Sequence, residues 1–231
     1  MDRQIFNFAI SLGCACNTSL YLKELGLKHF SLPYDWIFSS LDTIEHTIKD
    51  DFQSFLDKDL ITTIKNKRAS HNLYHSFLFN HRNPKDNQDD YEYYQRCIYR
   101  FKKVLQSNRN KLFIHTMYKE HDKYHKSFMK FGEDFKNFNF DLNRIKKFAR
   151  FLSSITNNYT LLVILQNPKQ SASKYIKILE EENLVVYVLD CVGVSAGELL
   201  ANEEDSFNYK EIIKQFNFEP KQIELKLPIE S

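Results

Sequence analysis

The chain has 231 residues, 42% hydrophobic and 27% charged, enough to bury a core without disulfide or metal staples. Its 32 basic and 30 acidic side chains leave a formal net charge of +2, too little basic excess for a dedicated nucleic-acid binder. With 20 Phe, 13 Tyr and one Trp it has ample surface to bury and is no disordered polymer.

No apolar run reaches the length of a membrane span, and the opening residues lack the charged and apolar regions of a secretory leader. The four cysteines include Cys14 and Cys16, too close for a disulfide framework, which points to a reducing, cytoplasmic setting. Gly and Pro total only five each, without linker, repeat or low-complexity segment, so residues 1–231 read as one domain.

In chain order, the run from Ile5 to Leu12 reads as a strand ending at Gly13. Asn17 or Thr18 would cap a helix carrying Tyr21, Leu22 and Leu25, with Gly26 at its end. Asp42 and Glu45 have capping-box spacing, and Ile44, Ile48, Phe52 and Phe55 form a helical stripe. Ser76 to Phe79 predicts a short strand, and residues 81–90 a polar loop. A helix from Tyr91 presents Tyr94, Ile98, Phe101 and Leu105, followed by a strand from Leu112 to His115.

Asp141 caps the next helix, and Thr160 to Leu165 is a continuous apolar strand. A helix is expected from Ser171, then a second apolar strand from Leu184 to Leu189. Tyr209, Ile212, Ile213 and Phe216 mark a last helix, and Ile223 to Leu227 alternates like an edge strand. Continuous apolar strands between helices require a parallel sheet covered on both faces. The fold expected is therefore α/β, a doubly wound three-layer sandwich with a mostly parallel sheet. Sites in such sheets form beyond the carboxyl ends of the strands, at Gly13 to Cys16, Asn80–His81, His115–Thr116, Gln166–Asn167 and Asp190–Cys191.

Two thiols, Cys14 and Cys16, stand where that first strand meets a helix N-terminus, whose dipole favours thiolate. One of them reads as a small buried hydrophobe. A general base must reach both solvent and thiol, which favours His81 over His115, since His115 is embedded between Ile114 and Thr116. Asp35 or Asp190 could orient the imidazole. His71 with His75, and His121 with His125, have helical metal-ligand spacing, but neither pair holds the Glu of a zinc-protease motif, and no metal is expected. Arg96, Arg100 and Lys103, with Lys102 and Arg109 nearby, could hold an anion; the plainer reading is a solvated helix face. No glycine-rich phosphate loop occurs, so no cofactor is expected.

Ser11, Leu12, Gly13 and Cys16, then Leu25, Gly26 and Leu27, then Ser31, Pro33, Tyr34, Asp35 and Trp36, carry a resemblance. Phe79-Asn80-His81 and Tyr99-Arg100-Phe101 extend it. The chain resembles a family of papain-like cysteine peptidases, long a domain of unknown function of bacteria and large DNA viruses. The resemblance implies Cys16 as nucleophile, His81 as its base and Asp35 near the site; Cys14 is an additional thiol. The periodicity, however, calls for a parallel α/β scaffold rather than the helical and barrel halves of papain-type enzymes.

The expectation is a cysteine-dependent hydrolase or acyl transferase acting on a small-molecule or peptide substrate. Gly13, Cys14, Trp36, His115 and Arg100 are the candidate substrate contacts, with backbone amides of Gly13 to Cys16 holding the oxyanion. The alternative is a non-catalytic binding module taking a sugar or phosphate-bearing ligand through Arg96 and Arg100.

Overall fold

The computed structural model describes residues 4–14, 16–65, 68–118, 130–131, 141–193 and 200–219. Its elements are β1 (Ile5–Phe6), β2 (Phe8–Ser11), α1 (Asn17–Glu24), α2 (Leu41–Lys49), β3 (Ile61–Lys65) and β4 (Arg68–His71). They continue with α3 (Gln88–Gln106), β5 (Lys111–Tyr118), α4 (Leu142–Ile155), β6 (Tyr159–Asn167) and β7 (Lys174–Glu181). The last are β8 (Leu184–Asp190), α5 (Glu203–Lys214) and β9 (Asn217–Phe218).

The central sheet has five strands in the order β2-β5-β6-β8-β7. The first four are mutually parallel and only β7 runs antiparallel, at the edge. Strands β5 and β6 alternate between two apolar cores, as strands buried on both faces must. Phe113, Leu161 and Val163 pack in the core that includes residues of α2, α3 and α4; Ile114, Leu162 and Ile164 pack with residues of α1 and α5. Helices on both sheet faces make the three-layer α/β sandwich that the apolar runs call for.

Several elements differ from the sequence reading. The first strand is two: β1 diverges from β2 at Asn7 and pairs with β9. Phe52 and Phe55 lie beyond α2, which ends at Lys49, and its side-chain cap is Ser40 rather than Asp42. Ser76 to Phe79 is a turn closed by a single bridge from Phe79 to Ala69, not a strand.

The largest correction is β7, a strand where a helix is expected from Ser171. Its Lys and Glu residues favour helix, and Tyr175, Ile178 and Leu179 mimic helical spacing. At a sheet edge exposed on most positions, burial leaves no alternation to read, and a bulge between Lys177 and Leu179 shifts the register further. The alternating segment from Ile223 to Leu227 lies outside the described residues.

Candidate functional site

The site is built where β2 hands over to α1. Gly13 and Cys14 both adopt left-handed backbone, with φ of 78° and 83°. Glycine is required at the first position, because a β-carbon there would lie 2.2 Å from Ser39 Oγ and 2.8 Å from the Tyr34 carbonyl. Cys14 carries the strain of a non-glycine residue in this region. Ser39 clamps the turn: its hydroxyl donates to the Leu12 carbonyl at 2.7 Å and accepts from the Cys14 amide at 3.1 Å. The Gly13 amide donates to Ser11 Oγ at 3.1 Å.

This turn delivers Cys16 to the N-cap position of α1, where its side chain makes no capping bond. Cys16 Sγ lies 3.5 Å from His81 Nε2. The thiol is 5% exposed, while the imidazole is on the surface. No acidic residue stands in the first turn of α1, so the positive end of its dipole is not offset there.

His81 is held between two anchors. Before it, buried Phe79 bridges to Ala69 and packs on Phe55 and Tyr94. After it, Arg82 donates to Asp90 at 2.7 Å and stacks 3.7 Å above the Tyr93 ring, and the Asn83 amide also reaches Asp90, at 2.9 Å. Asp90 sits in the first turn of α3, so one carboxylate ties the histidine loop to that helix. The polar stretch that reads as a loose loop is a braced one.

Asp35 is buried, and its Oδ2 accepts from the Leu32 amide at 2.6 Å and from the Lys28 ammonium. Its observed bonds brace the Leu32–Asp35 turn, which contains Tyr34, whose carbonyl stands 2.8 Å from the place of a β-carbon on Gly13. Trp36 is half-buried, with Lys28 Nζ 5.8 Å from its ring centre. Asp190, the other candidate for orienting the imidazole, accepts from Asn167 at 2.7 Å and lies 3.8 Å from Lys174.

His115 is fully buried in β5, and burial pushes its pKa down to about 3 against the opposing pull of the Leu12 backbone. It is a neutral core histidine under the turn. Cys14 is buried too, on the side of Tyr209.

The cations of α3 do not converge. Arg100 donates to the Ser31 carbonyl at 3.4 Å, Arg96 lies 3.7 Å from Glu92, and Lys102 pairs with Asp51 at 2.6 Å. His71 and His75 are not on a helix. His71 Nε2 donates to the Ser54 carbonyl at 2.8 Å and its Nδ1 accepts from the Leu73 amide at 3.2 Å; His75 Nδ1 accepts from the Phe77 amide at 3.0 Å. His121 and His125 lie outside the described residues.

Sequence reasoning missed the support beneath α1. Thr18, Thr116 and Tyr209 share a hydroxyl triangle of 3.0, 2.8 and 2.7 Å, and Asn17 donates to the Tyr118 hydroxyl at 2.8 Å. Gln166, opposite Tyr118 in the sheet, is 2% exposed, and its Nε2 has no hydrogen-bond partner among the described residues. The sequence marks Thr116 and Gln166 as polar residues at the carboxyl ends of apolar strands, Asn17 and Thr18 as caps, where the N-cap is in fact Cys16, and Tyr209 as one face of a helix, but not that they meet. Nothing in the sequence singles out Ser39.

Comparison with known proteins bears on this geometry. The family described as "Putative papain-like cysteine peptidase (DUF1796)" matches residues 7–199. An uncharacterised protein, R408, of Acanthamoeba polyphaga mimivirus is 49% identical over 47 residues, which are 20% of this chain and 21% of that protein. The match thus spans about a fifth of that relative. No solved structure matches the chain significantly.

Proposed function

The chain belongs to the family described as "Putative papain-like cysteine peptidase (DUF1796)", and we propose that it is a cysteine-dependent hydrolase or acyl transferase using Cys16 and His81. The observation that carries the reading is the 3.5 Å approach of Cys16 Sγ to His81 Nε2 at the N-terminus of α1. That distance is within hydrogen-bonding reach for sulfur, and an adjacent base with a helix dipole is what turns a thiol into a nucleophile.

In the proposed sequence, His81 takes the thiol proton as Cys16 Sγ bonds to the carbonyl carbon of the substrate. The carbonyl π electrons move to oxygen, giving a tetrahedral oxyanion. The Gly13 and Cys14 amides already donate to Ser11 and Ser39, so the oxyanion is assigned to the amide of Asn17, the first residue of α1. Collapse re-forms the carbonyl and expels the leaving group, which takes the proton from His81. A thioester remains on Cys16. Water, or an acceptor amine or alcohol, then gives its proton to His81 as it attacks, and Sγ leaves. Asp35 serves as a positioning residue for the turn that packs on Gly13.

The test uses p-nitrophenyl acetate as a general acyl donor. The parent should release a stoichiometric burst of p-nitrophenolate as Cys16 is acylated. Cys16→Ser should abolish the burst, and His81→Asn should slow it by roughly 10²–10⁴-fold. A burst that survives Cys16→Ser would refute the assignment.

A further inference from the structure

Strand β7 closes the central sheet on the side away from Cys16. The order β2-β5-β6-β8-β7 sets it four strand spacings from β2, about 19 Å across the sheet. Among the described residues its one ladder is with β8, so its outer edge presents backbone donors and acceptors that no strand takes up. Ile176 is 63% and Ile178 43% exposed, an apolar centre in a row of charges.

Those charges are sorted by sign. Lys174 and Lys177 stand in the first half of β7; Glu180 and Glu181 end it, and Glu182 follows. A parallel neighbour of the same sequence would set like charges side by side, whereas an antiparallel one sets lysine against glutamate. A foreign strand would have to carry this order of signs itself; a second copy supplies it by symmetry.

The bulge makes the antiparallel arrangement fit. Lys174, Ile176, Leu179 and Glu181 stand opposite Asp190, Val188, Val186 and Leu184 of β8. All four therefore share one sheet face, although their numbers pass from even to odd at Ile178. A two-fold axis normal to the sheet, between Lys177 and Ile178, places Lys174 opposite Glu181 of the second copy and Ile176 opposite its Leu179. Without the extra residue, Lys174 and Glu181 would point to opposite faces and could not meet.

The surrounding charges agree with this register. Lys174 lies 3.8 Å from Asp190, Glu181 pairs with Lys146 of α4 at 2.5 Å, and Lys177 pairs with Glu180. Bringing Lys174 to Glu181 of the second copy joins two neutral pairs with their signs alternating. Lysines and bulges can also keep edges apart, but a guarded edge gains nothing from isoleucines at its centre, while pairing takes them out of water.

We propose that β7 pairs antiparallel with β7 of a second copy, joining the two five-stranded sheets into one continuous sheet in a two-fold symmetric dimer. Each contact occurs twice, and because β8 occupies the other side of β7 the assembly closes at two copies. Two strands of eight residues make a small interface, so the dimer is weak and depends on concentration.

The dimer leaves Cys16 at the far edge, so its test is separate from that of the thiol. Sedimentation velocity of the full chain from about 10 to 300 μM reads the association directly, and over that range the parent should pass from monomer to dimer. Lys174→Glu alone and Glu181→Lys alone should each weaken association about tenfold or more, because each sets like charges together at both ends of the pairing. Both should keep the parent's melting temperature, since the two side chains are 75% and 45% exposed. Mixed in equal amounts, the two variants should dimerise as the parent does: the reversed charges meet each other and the unreversed pair stays matched. A parent that stays monomeric throughout, a dimer that survives either reversal, or variants that stay apart when mixed would overturn the proposal.

Discussion

Ser39 Oγ occupies the place that a β-carbon on Gly13 would need, at 2.2 Å from it. The same hydroxyl bonds the amide of Cys14 and the carbonyl of Leu12. The clamp on the Gly13–Cys14 turn and the demand for glycine are therefore one feature. Gly13→Ala should destabilise the chain by about 1–3 kcal/mol or more from left-handed strain and the clash. Ser39→Ala should cost about 1–3 kcal/mol by removing the hydroxyl that bonds the Cys14 amide and the Leu12 carbonyl. Because they share a contact, the double variant should be less damaged than the sum. Urea unfolding of the four proteins measures this; additive losses would mean the two side chains do not meet.

Gln166 should behave in the opposite sense. Its buried Nε2 has no hydrogen-bond partner among the described residues, and an unmet buried donor is destabilising by about 1–3 kcal/mol. Gln166→Leu, close in shape and apolar, should hold or raise the melting temperature. A clear fall would show that the amide is bonded in solution.

Acid should unfold the protein through its buried histidines. Burial lowers His71 to about 4 and His115 to about 3 from an ordinary 6.5. Between 6.5 and those values the unfolded chain binds protons that the native chain refuses. The stability they contribute is full above pH 6.5 and is lost as pH falls, by about 1.4 kcal/mol per pH unit for each histidine. His115→Gln should remove one proton from the slope of unfolding free energy between pH 6.5 and 4.5. An unchanged slope would mean that His115 is protonated in the native state.

Asp35→Asn separates bracing from catalysis. Losing a charged partner for Lys28 and the Leu32 amide should cost about 1.5–3 kcal/mol in thermal unfolding. The pH dependence of Cys16 alkylation should stay in place, since the observed bonds of Asp35 go to Lys28 and Leu32. A shifted profile would make Asp35 the group that orients His81.

The sheet was legible because burial on both faces writes strands as apolar runs, seen most plainly from Leu161 to Leu165 and from Leu184 to Leu189. The edge strand β7 was not, since exposed residues such as Ile176 carry no such constraint. Cys16 and His81 were legible as polar residues following apolar segments, although Ser76 to Phe79 forms a turn. What brings them together was hidden. The Asp90 tie behind His81 and the Ser39 clamp behind Cys14 join residues distant in sequence or unmarked by pattern, and Asp35 declared its acid group but not its partners.

The central claim is that Cys16 is the activated thiol, and the direct measurement is its rate of iodoacetamide labelling against pH, read residue by residue by mass spectrometry. Burial raises Cys97 to about 11 and Cys191 to about 12, so both serve as unreactive references in the folded chain. Cys16 should label rapidly well below the ordinary thiol pKa of about 8.5. His81→Asn should slow it and shift its profile upward, Cys14→Ser should leave it unchanged, and Cys16→Ser should abolish fast labelling while keeping the parent's melting temperature. Fast labelling at Cys14 instead, or no fast-labelling thiol in the folded protein, would contradict the account.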